Sequence, residues 1–205
     1  MFNRASIAML LMLTTFSSSA NLPSQILQWS NDHVYKLQTS AGVGSGFFIS
    51  NTTLVTACHV VEGQERARVF NHANFYIMTV DKCDTDLDIA ILSREVDKES
   101  TWEATINTKP PEQGLSVYGA GYPLGYPLYI SQGHVQNNYL DKGVFFLSAN
   151  TISGDSGSPV LSIDEKGKIQ IEGVRIAVMG KSGKELYPHL ALAQSGVSIN
   201  KVLAN

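Results

Sequence analysis

The 205-residue sequence predicts an all-β fold in two halves. Short runs rich in Val, Ile, Phe and Tyr recur along it, 17 glycines punctuate them, and the pattern breaks once, around Pro110-Pro111. In the first half, strands are expected at Val34–Leu37, Gly46–Ser50, Leu54–Thr56, Ala67–Phe70, Tyr76–Val80 and Ile89–Leu92. Leu54 to Val61 reads as one buried β-branched run carrying His59 near its end. Trp102 to Gln113 is the expected connector. The second half follows with Leu115–Tyr118, Leu128–Gln136, Val144–Ser148, Pro159–Ile163, Ile169–Val178 and Leu190–Ala193, after which Ser198 is placed to cap a short helix to Leu203. No internal sequence repeat is visible.

The amino terminus has the pattern of an export signal: Met1 to Arg4 is positively charged, Ile7 to Phe16 is apolar, and Ser18-Ser19-Ala20 suits cleavage. The apolar run falls short of the about 20 residues that span a bilayer. Residues 1–20 are therefore expected to leave, and 21–205 to form one exported unit, periplasmic or secreted, without stable membrane insertion. Within it the halves cover about residues 30–105 and about 112–197. Net charge is -3, charged residues are 16%, and Lys and Arg do not cluster, so the electrostatic footprint of a nucleic-acid binder is missing. Two cysteines and five scattered histidines offer no metal-ligand spacing, and neither metal nor cofactor is expected.

Gly154-Asp155-Ser156-Gly157-Ser158-Pro159 is the most chemically pointed stretch. Flanking glycines permit the sharp turn in which the amides of Gly154 and Ser156 converge on one point, where an oxyanion would sit. A serine hydroxyl needs a base, and the base needs an orienting group. His59 supplies the first. Asp88, directly before the apolar run Ile89 to Leu92, is the preferred second, with Asp86 as runner-up and Asp81 and Asp84 as further carboxylates.

These three segments, in the order His, Asp, Ser, resemble the chymotrypsin-like (trypsin-fold) serine proteases, and Gly44 to Ser50 and Gly119 to Gly133 resemble that family's opening strands in each half. The closest flavours are the compact bacterial trypsin-like peptidases and glutamyl endopeptidases. The resemblance implies two six-stranded antiparallel β-barrels with the active site between them. It also implies His59 as general base, Asp88 as its orienter, Ser156 as nucleophile, and Gly154 with Ser156 as oxyanion donors. The substrate would be a polypeptide and the enzyme a monomer. A protease-fold protein that binds peptides or a partner without cutting them is the alternative.

By the same resemblance, Asn150 and Thr151 lie at the primary pocket, and Arg175, Ile176, Ala177 and Val178 belong to the strand that pairs with substrate. Arg175 takes the place of a histidine that reads acidic side chains in glutamyl endopeptidases, which with Thr151 suggests Glu or Asp before the cut. Equally open is Arg175 as the cation that keeps buried Asp155 ionised, in which case no second amino-terminal cleavage is needed. Ser158 and Ile176 depart from the family pattern, Ile176 standing where many relatives have a serine that touches the catalytic carboxylate. Cys58 and Cys83 are expected to form a disulfide in an oxidising compartment, two buried thiols being the other reading.

Overall fold

The computed structural model describes residues 22–40, 42–96, 102–138, 141–181 and 185–205. Residues 1–20, read above as a signal, lie outside them. The elements in order are α1 (Ser24–His33), β1 (Val34–Thr39), β2 (Gly42–Phe48), β3 (Thr53–Thr56), α2 (Cys58–Val61), β4 (Arg66–Phe70), β5 (Phe75–Asp84) and β6 (Ile89–Ser93). After the connector come β7 (Ser116–Gly121), β8 (Tyr129–Asn137), β9 (Val144–Leu147), β10 (Pro159–Ile163), β11 (Ile169–Lys181), β12 (Glu185–Ser195) and α3 (Gly196–Ala204).

Within the barrels the described strand pairings are antiparallel, and each half closes into a six-stranded barrel, β1-β2-β3-β6-β5-β4 and β10-β11-β12-β9-β8-β7. Read from the first strand of each half, the circular order is the same, a duplicated topology that left no repeat in the sequence. Among the described residues no helix is long and apolar enough to cross a membrane.

The strands arise from alternation where one face meets solvent and from continuous apolar runs where both faces are covered. In β4, Ala67 and Val69 point in while Arg66 and Arg68 point out. In β6, Ala90 and Leu92 fill the first barrel with Leu37, Leu54 and Met78, while Ile89 and Ile91 face a second cluster with Tyr118, Leu161, Ile171 and Ile199. That second cluster is the contact between the barrels. The unbroken run Ile89 to Leu92 thus marks the strand buried on both sides. The second barrel has its own interior of Val117, Val135, Phe145, Leu147 and Val160.

The connector is stitched to both barrels: Ala104 N–H donates to Ile49 O (2.8 Å), and Asn107 N–H donates to Ile171 O (2.9 Å). Three elements differ from expectation. Helix α3 begins at Gly196 with Ser195 as its N-cap, so Ser198, expected to cap it, lies inside the helix. The strand expected at Leu54–Thr56 forms as Thr53–Thr56, but the rest of the apolar run does not extend it: Cys58–Val61 forms a single helical turn, with Val60 and Val61 buried against the first-barrel core. An apolar run cannot by itself distinguish the two. Helix α1 was not expected. Pro23 precedes it, and Ile26 and Ser30 form its buried stripe. His33, in its last turn, stacks on Trp102 at 4.1 Å.

Candidate active site

Helix α2 presents His59 at the rim of the first barrel, its side chain 44% exposed. Asp88 closes the turn into β6 and meets His59 twice. Its Oδ1 accepts the His59 backbone N–H (2.9 Å), and its Oδ2 lies 2.7 Å from Nδ1. An ionised carboxylate only accepts, so Nδ1 carries the proton and Nε2 is left as the basic nitrogen. The hydrogen bond to Asp88 is the largest influence on His59, raising its pKa above the ordinary 6.5, while burial opposes it. Asp88 has φ of 52°, a left-handed conformation that aspartate tolerates better than most residues. The rival carboxylates do other things. Asp84 Oδ1 accepts the amides of Asp86 and Leu87 to shape the same turn, and Asp86 is exposed.

Ser156 comes from the second barrel, in the turn before β10. Gly154 and Gly157 have φ of 95° and 83°, and a side chain on Gly157 would run into Ser45 O and Thr56 Oγ1. The amides of Asp155, Gly157 and Ser158 donate to Ile152 O (3.1 Å), Arg175 O (2.7 Å) and Asp155 O (3.0 Å). Within 154–158 this leaves the Gly154 and Ser156 amides as the two without an acceptor among the described residues. Ser156 and His59 line one cavity of about 150 Å³ with Gly42, Val43, Val60 and Ser153.

One contributor escaped the sequence reading. Ser45 of β2 binds the turn that carries Ser156 to the first barrel: its N–H donates to Ser156 O (2.8 Å) and its Oγ donates to Gly154 O (2.7 Å). The same Oγ accepts the Tyr122 N–H (2.9 Å). The signal was a serine between two glycines, Gly44 and Gly46, where backbone segments approach closely.

The Asn150 backbone carbonyl and the Thr151 hydroxyl accept hydrogen bonds from Arg175, and both residues line a separate cavity of about 430 Å³ with Pro123, Tyr129, Ile152 and Asp155. Arg175 itself is fully buried and Asp155 is 1% exposed. Ile176 and Ala177 are half-buried, Ile176 packing against both the inter-barrel cluster and the first-barrel core. The Val178 side chain lies outside those described. Cys58 and Cys83 are disulfide-bonded with Cα atoms 5.0 Å apart, which ties the residue before His59 to β5.

A trypsin-like peptidase domain matches residues 44–169, more than half of the chain. The chain belongs to that family, the serine proteases of the chymotrypsin-like, trypsin fold. Protease Do-like 4, mitochondrial, of Arabidopsis thaliana is 31% identical over 155 residues, which are 69% of this chain and 29% of that protein. The chain spans less than a third of the length of the curated relatives it matches. Among solved structures, the active form of the Rv3671c protease of M. tuberculosis superposes with a TM-score of 0.69 at 24% identity, covering 87% of this chain and 82% of that one. The serine endoprotease of Yersinia pestis gives 0.68 at 20% identity, covering 88% and 65%. At those identities the likeness speaks to the fold.

Proposed function

We propose that the protein is a serine endopeptidase in which His59, Asp88 and Ser156 act as a triad and the Gly154 and Ser156 amides form the oxyanion hole. The observation that carries this reading is the two-point contact of Asp88 with His59, which fixes the tautomer a general base requires, in a cavity shared with Ser156. Nε2 of His59 takes the proton of Ser156 Oγ as it attacks a peptide carbonyl, the two amides hold the developing oxyanion, and protonated His59 then supplies the departing amine. Water repeats the cycle on the acyl-enzyme.

Export belongs to the same proposal. It rests on the charged and apolar pattern of residues 1–20, and the disulfide beside His59 is of the kind that persists in oxidising compartments. Action as a monomer on polypeptides completes it. An acidic preference before the cut has less support. Arg175 directs Nε and Nη1 to Ser158, Thr151 and Asn150, so it could influence a substrate carboxylate only through the pocket floor.

The deciding experiment is labelling of the purified protein with a fluorophosphonate, read by intact mass beside Ser156→Ala. Labelling that the substitution abolishes is expected. An unlabelled but folded wild-type protein would move the assignment to peptide or partner binding in the cleft. A library varying the residue before the cut then reads specificity directly.

A further inference from the structure

The turn that carries Ser156 is held from beneath by a side chain that the mechanism above leaves unused. Arg175, in β11, meets both ends of segment 150–158. Its backbone O accepts the Gly157 N–H (2.7 Å) and its N–H donates to Ser158 O (2.9 Å). Its Nε donates to Ser158 Oγ (2.6 Å), and Nη1 donates to Thr151 Oγ1 (2.9 Å) and Asn150 O (3.2 Å). Nη1 also lies 3.8 Å from Asp155 Oδ2, which accepts the Ile152 N–H at 3.1 Å. The amides of Gly154 and Ser156 sit in the middle of the stretch so clamped.

Strand β7 makes the room. A Cβ on Gly119 would lie 2.6 Å from Arg175 Cζ, and one on Gly121 would lie 2.6 Å from Asp155 Oδ1. The ion pair is a poor stabiliser of the fold. Its separation exceeds hydrogen-bond reach, and Asp155 Oδ1 and Arg175 Nη2 have no partner among the described residues. Burial is the larger influence on each, raising Asp155 and lowering Arg175 against the attraction between them. Such an arrangement is better explained by the geometry it imposes than by net stability. A planar guanidinium with donors in fixed directions can join Ser158 to Thr151 and Asn150; an ammonium cannot.

We propose that Arg175 is a positioning residue that presets the oxyanion turn from beneath, holding Ser158, Thr151 and Asn150 so that the Gly154 and Ser156 amides between them converge. The inference rests on the serine-protease reading above.

The test compares wild type with Arg175→Met/Asp155→Asn, which removes both buried charges together, and with Gly119→Ala and Thr151→Val, which disturb the guanidinium while keeping its charge. Folding is followed by circular dichroism, kcat and KM with one peptide substrate, and the affinity of the matching peptide boronic acid, which engages the oxyanion hole. In the folded variants kcat and boronic-acid affinity should fall by up to about 100-fold, on the scale of one lost oxyanion donor, with KM changed little. Unchanged kcat and boronic-acid affinity in any folded variant would overturn the proposal. So would a rise in KM confined to acidic substrates, which would make Arg175 a specificity residue. If the double variant does not fold, the Gly119 and Thr151 variants decide. A wild-type protein that neither turns over nor reacts with fluorophosphonate removes the protease reading itself, and this inference with it.

Discussion

His59 is subject to two opposed pH dependences. Its contact with Asp88 raises the imidazole pKa above 6.5, and a base must be neutral to accept the Ser156 proton. Activity should therefore fall as pH drops through a midpoint above 6.5. The stabilising contribution of the same contact runs the other way, fully present below about 6.5 and lost as pH rises through the raised value. A kcat/KM profile and a urea-denaturation series over pH 5 to 9 check both trends. A rate flat from pH 5 to 8 would remove His59 from the role of base. Asp88→Asn separates the effects further, since an amide accepting from Nδ1–H restores neither the charge nor the second anionic contact, and the activity midpoint should move toward the ordinary histidine value.

At the scale of elements, the disulfide joins the turn carrying His59 to the long strand β5 across 25 residues. Chain-entropy arguments give such a closure about 3.5 kcal/mol. Replacing Cys58 and Cys83 by serine should lower the stability measured by urea unfolding by that order. Activity should fall more than the unfolded fraction explains, because the bond anchors the residue directly before His59. Elements were legible in the sequence wherever burial followed a strand period. Pro159–Ile163 and the start of β1 at Val34 agree with expectation to the residue, and β6 differs only at its end. Legibility failed where burial was not periodic in that sense, at α2, whose valines pack against the first-barrel core, and at α1, whose buried positions are few. Asp88 could be preferred among four aspartates because a two-sided strand follows it, and it is the one that meets His59. The contacts of Ser45 could not be singled out, since they reach a segment more than 100 residues away, and Arg175 could be placed beside Asp155 only as one of two readings, because the glycine-made space that buries it is revealed only by the folded barrel.

For the whole molecule, the proposed triad requires the two barrels to keep their register, since His59 and Asp88 belong to one and Ser156 to the other. Helix α3 leaves the second barrel and lies over the contact. Ile199 and Val202 are buried in the inter-barrel cluster, and Lys82 of β5 donates to the Val202 and Leu203 carbonyls at 3.2 and 3.3 Å, where a cation also suits the helix end. Ile199→Ala should cost about 2–5 kcal/mol, seen as a lower Tm with thermal loss of activity moving in step. Unchanged Tm would mean that α3 is peripheral. Ser45 sets how the cleft between the barrels can behave. Three hydrogen bonds of this one residue join the wall of one barrel to the other at the floor of the groove: its N–H donates to Ser156 O, its Oγ donates to Gly154 O, and the same Oγ accepts the Tyr122 N–H. That floor acts as a weld rather than a hinge: spreading the barrels would break the seam at the point where the chemistry occurs. If the protein is the protease proposed above, the groove should keep its width as substrate enters, and turnover should be indifferent to solvent viscosity, paced by acyl transfer rather than by jaws opening and closing.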